Sequence, residues 1–261
     1  MTATIHSAPP GATTHAMPKA DAAPGAAAMA LEINNLQAWY GESHILHNVN
    51  MAVRQGEVVT LLGRNGAGRT TTLRAIMGLT GARQGSIKVG GKEAIGLPTH
   101  QVAHLGIGYC PEERGIFASL STEENLMLPP ALKTGAKGMS IDEIYEMFPN
   151  LKERRHSQGT RLSGGEQQML AVARILRTGA RLLLLDEISE GLAPVIVQGL
   201  ARMIKTLKAK GYTIVMVEQN FRFAAPLADR FYVMEHGQIV ETFAASELEA
   251  KMPVLTELLG V

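Results

Sequence analysis

A chain of 261 residues, 46% of them hydrophobic, can bury a large core as one domain or two small ones. A formal net charge of +1 excludes a general nucleic-acid binder, and the single cysteine, Cys110, excludes an internal disulfide framework and suits a reducing cytoplasm. No apolar run reaches the roughly 18 residues of a membrane span, so a membrane role must pass through partner chains.

Residues 1–29 are rich in Ala, Pro, Thr and Gly, with too few large apolar side chains to build a core. This predicts a disordered tail, and the tail lacks the pattern of a secretory signal. Met29 opens the first patterned segment. The expectation is that translation starts there, and the intact mass of the native protein tests it. The stretches LEINNLQAWY and ILHNVNMAV alternate apolar and polar residues and predict strands. EVVTLLG, from Glu57 to Gly63, is a nearly continuous apolar run, suited to a strand buried on both faces. It feeds the Gly-rich stretch GRNGAGRTTT, after which Leu73, Ile76 and Met77 fall at helical spacing.

SIKVGGKEAIGL predicts a hairpin turning near Gly90 and Gly91. GIGYC predicts another buried strand, with Cys110 as a small core residue. Helices are expected to dominate from about Ser121 to Arg177, one of them behind a capping box of Ser140 and Glu143. RLLLLDE and YTIVMVE read as buried strands. Between them Pro194 opens a helix whose Val197, Leu200, Ile204 and Leu207 share a face and which Gly211 can end. RFYVME and GQIVET predict a closing hairpin, and the last segment predicts a helix interrupted near Pro253. Buried strands alternating with helices imply an α/β fold, with a mostly parallel core sheet, a small antiparallel part and a helical lobe at about 118–178.

Three segments carry chemistry. In GRNGAGRTTT, a Gly-rich turn between strand and helix points backbone N–H groups inward and adds the positive helix end, which together favour a phosphate. Gly63, Gly68 and Thr70 fit the phosphate-loop pattern, but Arg69 stands where lysine is expected. Thr70 can offer a hydroxyl to Mg²⁺. LLLLDE puts Asp186 and Glu187 at a strand's carboxyl end, where Asp can hold Mg²⁺ and Glu can orient or deprotonate an attacking water. LSGGEQQ begins a helix at Ser163, Gly164 and Gly165, a second anion-binding end. One nucleotide needs only one phosphate loop, so this second end points to a second nucleotide face or to another copy's nucleotide.

These segments together resemble the nucleotide-binding subunit of an ATP-binding cassette (ABC) transporter, over about residues 30 to 261, with LSGGEQQ as the family's signature motif. The resemblance implies a P-loop NTPase cassette in which two subunits face head to tail. Each ATP then lies between one subunit's phosphate loop and the other's signature. By the resemblance Tyr40 stacks on adenine, with Trp39 beside it a packing residue. Gly63, Asn65, Gly66, Gly68, Arg69, Thr70 and Thr71 cradle the phosphates, and Ser163, Gly164 and Gly165 touch the partner's ATP. Thr70, Asp186 and Glu112 serve Mg²⁺, and Glu187, Gln219 and Glu112 serve hydrolysis. The implied partners are a second cassette or a second copy of this chain, two membrane permease subunits and, indirectly, a periplasmic binding protein. The implied location is peripheral, on the cytoplasmic face of the inner membrane.

Glu112 stands where the family usually has glutamine and Gln219 where it usually has histidine. With GLAP after the DE strand, these resemble the F-type ATPase of branched-chain amino acid importers and its relatives for urea and short amides. Ile188 departs from that branch, which usually has proline there. Arg69 departs too: it keeps the charge but is longer and fork-shaped. ATP binding is expected to survive, modestly weakened, whereas a misplacement of about 1 Å costs on the order of a hundredfold in catalysis. Three readings follow: a transport ATPase; an ATP-gated clamp whose partner's site does the hydrolysis; and an ABC protein of translation or repair, which usually carries two cassettes where this chain has one.

Overall fold

The structure, a computed structural model, describes residues 28–132, 134 and 136–260. The tail expected to be disordered lies outside the described residues up to position 27. Strand β1 (Met29–Tyr40) starts at the methionine expected to open the patterned chain, and it pairs antiparallel with β2 (Ser43–Arg54). The run VVTLL forms β3 (Val58–Leu62), buried along its whole length, and the Gly-rich loop then leads into α1 (Arg69–Met77). β4 (Ala82–Val89) returns along the other side of β1 and turns through Gly90 and Gly91 into β5, a pairing of only Lys92–Glu93. A short helix, α2 (Thr99–Ala103), precedes β6 (Ile107–Cys110). The sequence reading did not anticipate α2, whose five residues are too few for a periodic signal.

Four helices follow: α3 (Thr122–Met127), α4 (Ile141–Met147), α5 (Pro149–Glu153) and α6 (Gly164–Arg177). The expected box of Ser140 and Glu143 caps α4, and matching boxes start α3 at Ser121 and α6 at Ser163. The chain then alternates as β7 (Leu182–Asp186), α7 (Pro194–Ala209), β8 (Thr213–Val217), α8 (Phe221–Ala224), and the hairpin β9 (Arg230–Glu235) and β10 (Gln238–Ala244). The closing helix α9 (Leu248–Leu259) corrects one expectation, because it runs through Pro253. Proline removes one backbone donor there. Packing of Leu255 and the helix flank against Phe231, Val233 and Phe243 holds the helix in spite of that loss.

Two sheets result, in the orders β2-β1-β4-β5 and β10-β9-β3-β8-β7-β6. In the larger one β9, β3, β8, β7 and β6 are parallel neighbours and only β10 is antiparallel. Alternation with period two divides β7. Leu182 and Leu184 pack with Leu31, Leu36 and Met51 of the small sheet, while Leu183 and Leu185 pack with Val172, Leu176 and Leu200 of α6 and α7. Each such leucine contributes about 1.5–3 kcal/mol by leaving water. The layers bring the carboxyl ends of β3, β7 and β8 to one edge, where ligands of such sheets sit.

Candidate functional site

The loop leaving β3 turns at Ala67, whose N–H donates to the Arg64 carbonyl at 3.0 Å. Gly68 then caps α1 at φ 106°, a left-handed conformation that glycine adopts without a Cβ clash. The turn delivers Arg69 and Thr70 as the first residues of α1. Thr70 Oγ1 donates to Asp186 Oδ1 at 3.0 Å, so the loop and the end of β7 meet. Tyr109 OH, from the end of β6, donates to the other oxygen, Oδ2, at 3.1 Å. Burial pushes the Asp186 carboxyl up from its ordinary value, and the two hydroxyls hold it back.

Arg69 is 4% exposed; its Nη2 donates to Glu187 Oε1 at 2.7 Å and to Asn65 Oδ1 at 3.2 Å. Glu187 sits at φ 47°, a conformation uncommon for a side chain larger than glycine, with its own N–H bonded to the Val217 carbonyl at 2.9 Å. Burial and the neighbouring Glu190 push its carboxyl up to about 7, with Arg69 opposing. Carboxylate oxygens of Glu112, Glu187 and Glu190 lie within 4.8 Å of one another. Carboxylate and hydroxyl oxygens suit a small hard cation, so Thr70, Asp186 and this acidic group fit Mg²⁺. Such an ion would supply charge neutralisation at phosphate oxygens.

The remaining predicted residues distribute as follows. Tyr40 is exposed at the end of β1, where a planar ligand can reach its ring, while Trp39 stacks on His44 with centroids 4.3 Å apart. Gly63, Asn65, Gly66 and Thr71 lie on the loop and first turn with Arg69 and Thr70. Gln219 is exposed just beyond β8 and lines a 310 Å³ cavity with Glu190, Ser189 and Glu218, on the Glu187 side. Ser163, Gly164 and Gly165 form the start of α6, where Ser163 exchanges capping bonds with Glu166. Its oxygen accepts the Glu166 N–H and its own O–H stays available to donate. Gly165 is buried, and a Cβ there would come within 2.7 Å of Ile196. Only Ser163 and Gly164 of the three are accessible.

Sequence reasoning missed several partners. Glu218, 1% exposed, accepts the Ser189 N–H at 3.2 Å and its hydroxyl at 2.7 Å, and so ties the segment after β7 to the end of β8. Arg114 Nη1 donates to Gln167 Oε1 at 2.9 Å, joining the loop after β6 to α6. Arg64 donates to the carbonyls of Leu258 and Glu257 at 2.9 and 3.0 Å, fastening the end of α9 beside the phosphate loop. The only available signal was their position inside the motifs; their partners are far off in sequence. A 660 Å³ groove lies beside the site, walled by Arg74, Tyr109, Pro111, Arg114 and Arg174. Phe117, 49% exposed, lies beneath the Arg174 guanidinium, and Ile116 packs on the core as ordinary structure.

A Gly-rich loop at a parallel strand's end, facing paired acids on the next strand but one, defines a P-loop ATPase cassette. The sequence profile of the ABC transporter family matches residues 46–190, and the chain belongs to that family, as an ATP-binding subunit and transport ATPase. It is 43% identical over 211 residues to the high-affinity branched-chain amino acid transport ATP-binding protein BraG of Pseudomonas aeruginosa, covering 80% of this chain and 91% of that one. It is 34% identical over 216 residues to the lipopolysaccharide export system ATP-binding protein LptB of Haemophilus influenzae, covering 81% and 89%. Among solved structures, a nucleotide-free ATP-binding cassette from an ABC transporter superposes with TM-score 0.77 at 22% identity, over 88% of this chain and 97% of that one. Among the described residues no helix is long and apolar enough to cross a membrane.

Proposed function

We propose that this chain energises an importer of branched-chain amino acids. It would bind MgATP on the Gly63–Thr71 loop with Tyr40 against the base, hold the ion at Thr70, Asp186 and Glu112, and hydrolyse ATP with Glu187, Gln219 and Glu112. The observation that carries the site reading is the direct bond from Thr70 to Asp186, which joins the phosphate loop to the acidic strand end across 116 residues of chain. The solute reading is supported by the likeness to BraG, while the likeness to LptB supports only the family, and urea or short amides stay the alternative solutes. With Ser163 and Gly164 accessible at the start of α6, the nucleotide is completed by a second cassette or second copy placed head to tail. The 660 Å³ groove then takes one of two permease subunits at the cytoplasmic face of the inner membrane, the second cassette takes the other, and a binding protein acts through them. The ion pair of Arg69 with Glu187 favours a second reading, a clamp whose partner's site does most of the hydrolysis.

Reconstitution with the neighbouring permeases, second cassette and binding protein tests both. Leucine-stimulated ATPase supports the solute reading, and stimulation by urea or an amide instead overturns it. Turnover restored only by Arg69→Lys, with ATP binding intact in both, supports the clamp.

A further inference from the structure

Arg69 sits on the phosphate loop and already carries a carboxylate of the fold. Arg69 begins α1 at the mouth of the phosphate loop, yet its Nη2 is spent on Glu187 at 2.7 Å, both side chains being nearly buried. Nη1 is also buried and has no hydrogen-bond partner. A buried donor without an acceptor is costly, so this end of the fork is suited to an anion arriving from outside the fold. The guanidinium is rigid and planar, and its ends cannot turn independently. Reorienting it towards phosphate oxygens therefore strains or breaks the bond to Glu187.

We propose that Arg69 and Glu187 lock the empty site. With the loop empty, Arg69 holds the Glu187 carboxylate. Nucleotide phosphate entering the loop competes for the same guanidinium, and its binding frees Glu187 for water. The ion pair breaks, and the longer bond from Nη2 to Asn65 Oδ1 at 3.2 Å yields with it, while the phosphate's negative charge replaces the carboxylate's beside Arg69. Arg69 thus positions Glu187 and makes its release conditional on nucleotide. A lysine would not couple the two so tightly, because its three ammonium donors on a flexible stem serve phosphate and carboxylate together. Glu112 and Glu190 flank Glu187 as like charges, so a freed carboxylate is pushed from its resting place.

The lock rests on the nucleotide reading of the loop, so its test uses binding to the full-length chain. ADP affinity is measured by calorimetry without added magnesium, which leaves out hydrolysis and the ion. In the Arg69 background, Glu187→Gln should tighten ADP about tenfold, because the phosphate no longer has to break a buried pair. Glu187→Asp retracts the carboxylate by about 1.5 Å while keeping its charge, and should give a similar gain. With Arg69→Lys, the gain from Glu187→Gln should fall below about threefold, the difference being the coupling between the two positions. An equal gain in both backgrounds would mean plain charge repulsion and would overturn the lock, as would a Glu187→Asp chain that binds like the unaltered one. If Arg69→Lys does not fold, the Glu187→Asp comparison decides alone. An unaltered chain that binds no ADP at all overturns the nucleotide reading and the lock with it, whereas ADP binding without coupling overturns the lock only.

Discussion

Glu218 should make the cassette less stable as pH rises, and Glu218→Gln should remove that loss. The carboxylate is 1% exposed at the end of β8, and burial pushes it from the ordinary 4.5 to about 7, although two Ser189 bonds favour its charged form. Between those values the unfolded chain has lost the proton and the folded chain keeps it. The folded chain then binds more protons, so stability falls with rising pH across that interval and levels off above it. The interval from 4.5 to about 7, at about 1.36 kcal/mol per pH unit, is worth about 3 kcal/mol. Glutamine is neutral throughout. It can accept the Ser189 N–H on its oxygen and donate to the Ser189 hydroxyl, which rotates to suit. Urea unfolding of both chains from pH 4.5 to 8 gives the difference directly, and titrating groups that do not sense Glu218 cancel in it, Glu187 being the one acidic neighbour that does. The variant should match the natural chain near pH 4.5 and gain about 3 kcal/mol on it by pH 8. A difference flat to within about 0.5 kcal/mol would refute the reasoning, because the buried carboxylate would then cost nothing to ionise.

Asn125, buried in α3, accepts the Phe117 N–H at 2.8 Å and donates to the carbonyls of Phe117, Leu120 and Ser121. Asn125→Ala should cost about 3 kcal/mol in denaturant unfolding, less than four full bonds because two amide N–H groups are shared among three carbonyls, and a cost below about 1 kcal/mol would contradict the contact. Asp186→Asn should lower Mg²⁺-dependent ATPase by more than the roughly 10- to 100-fold typical of groups one step further from a metal. In the same chain the thermal midpoint should stay level or rise, since burial disfavours the carboxylate, and a folded variant with unchanged turnover would remove Asp186 from the site.

The elements of this fold were legible where the physics is local. The five-residue strands β3, β7 and β8, each with four apolar residues, report burial on both faces wherever the strands end up, and glycines in the loop before α1 report a turn that few other residues can make. Ser140 and Glu143 make their capping bonds three residues apart, so no distant segment is needed to predict them. The loop at Gly63–Thr71 and the pair Asp186 and Glu187 were readable for the same reason, as residue types in a fixed local order.

Tertiary structure decided the partners. The sheet order puts β8 beside β3 and β7 beside β8, although both follow β3 by more than a hundred residues, and that order sets Arg69 against Glu187 and Thr70 against Asp186. A pattern of hydrophobic residues names the faces of a strand but not its neighbours. Pro253 shows the reverse case, a strong local signal overruled when packing on β9 and β10 outweighs one missing hydrogen bond. The sequence by itself determined that this protein has a phosphate loop, paired acids and a signature helix start, because each is a short run with its own backbone chemistry. Only the fold decided that the arginine in the loop grips Glu187, because that bond depends on which strand ends the sheet brings within 2.7 Å.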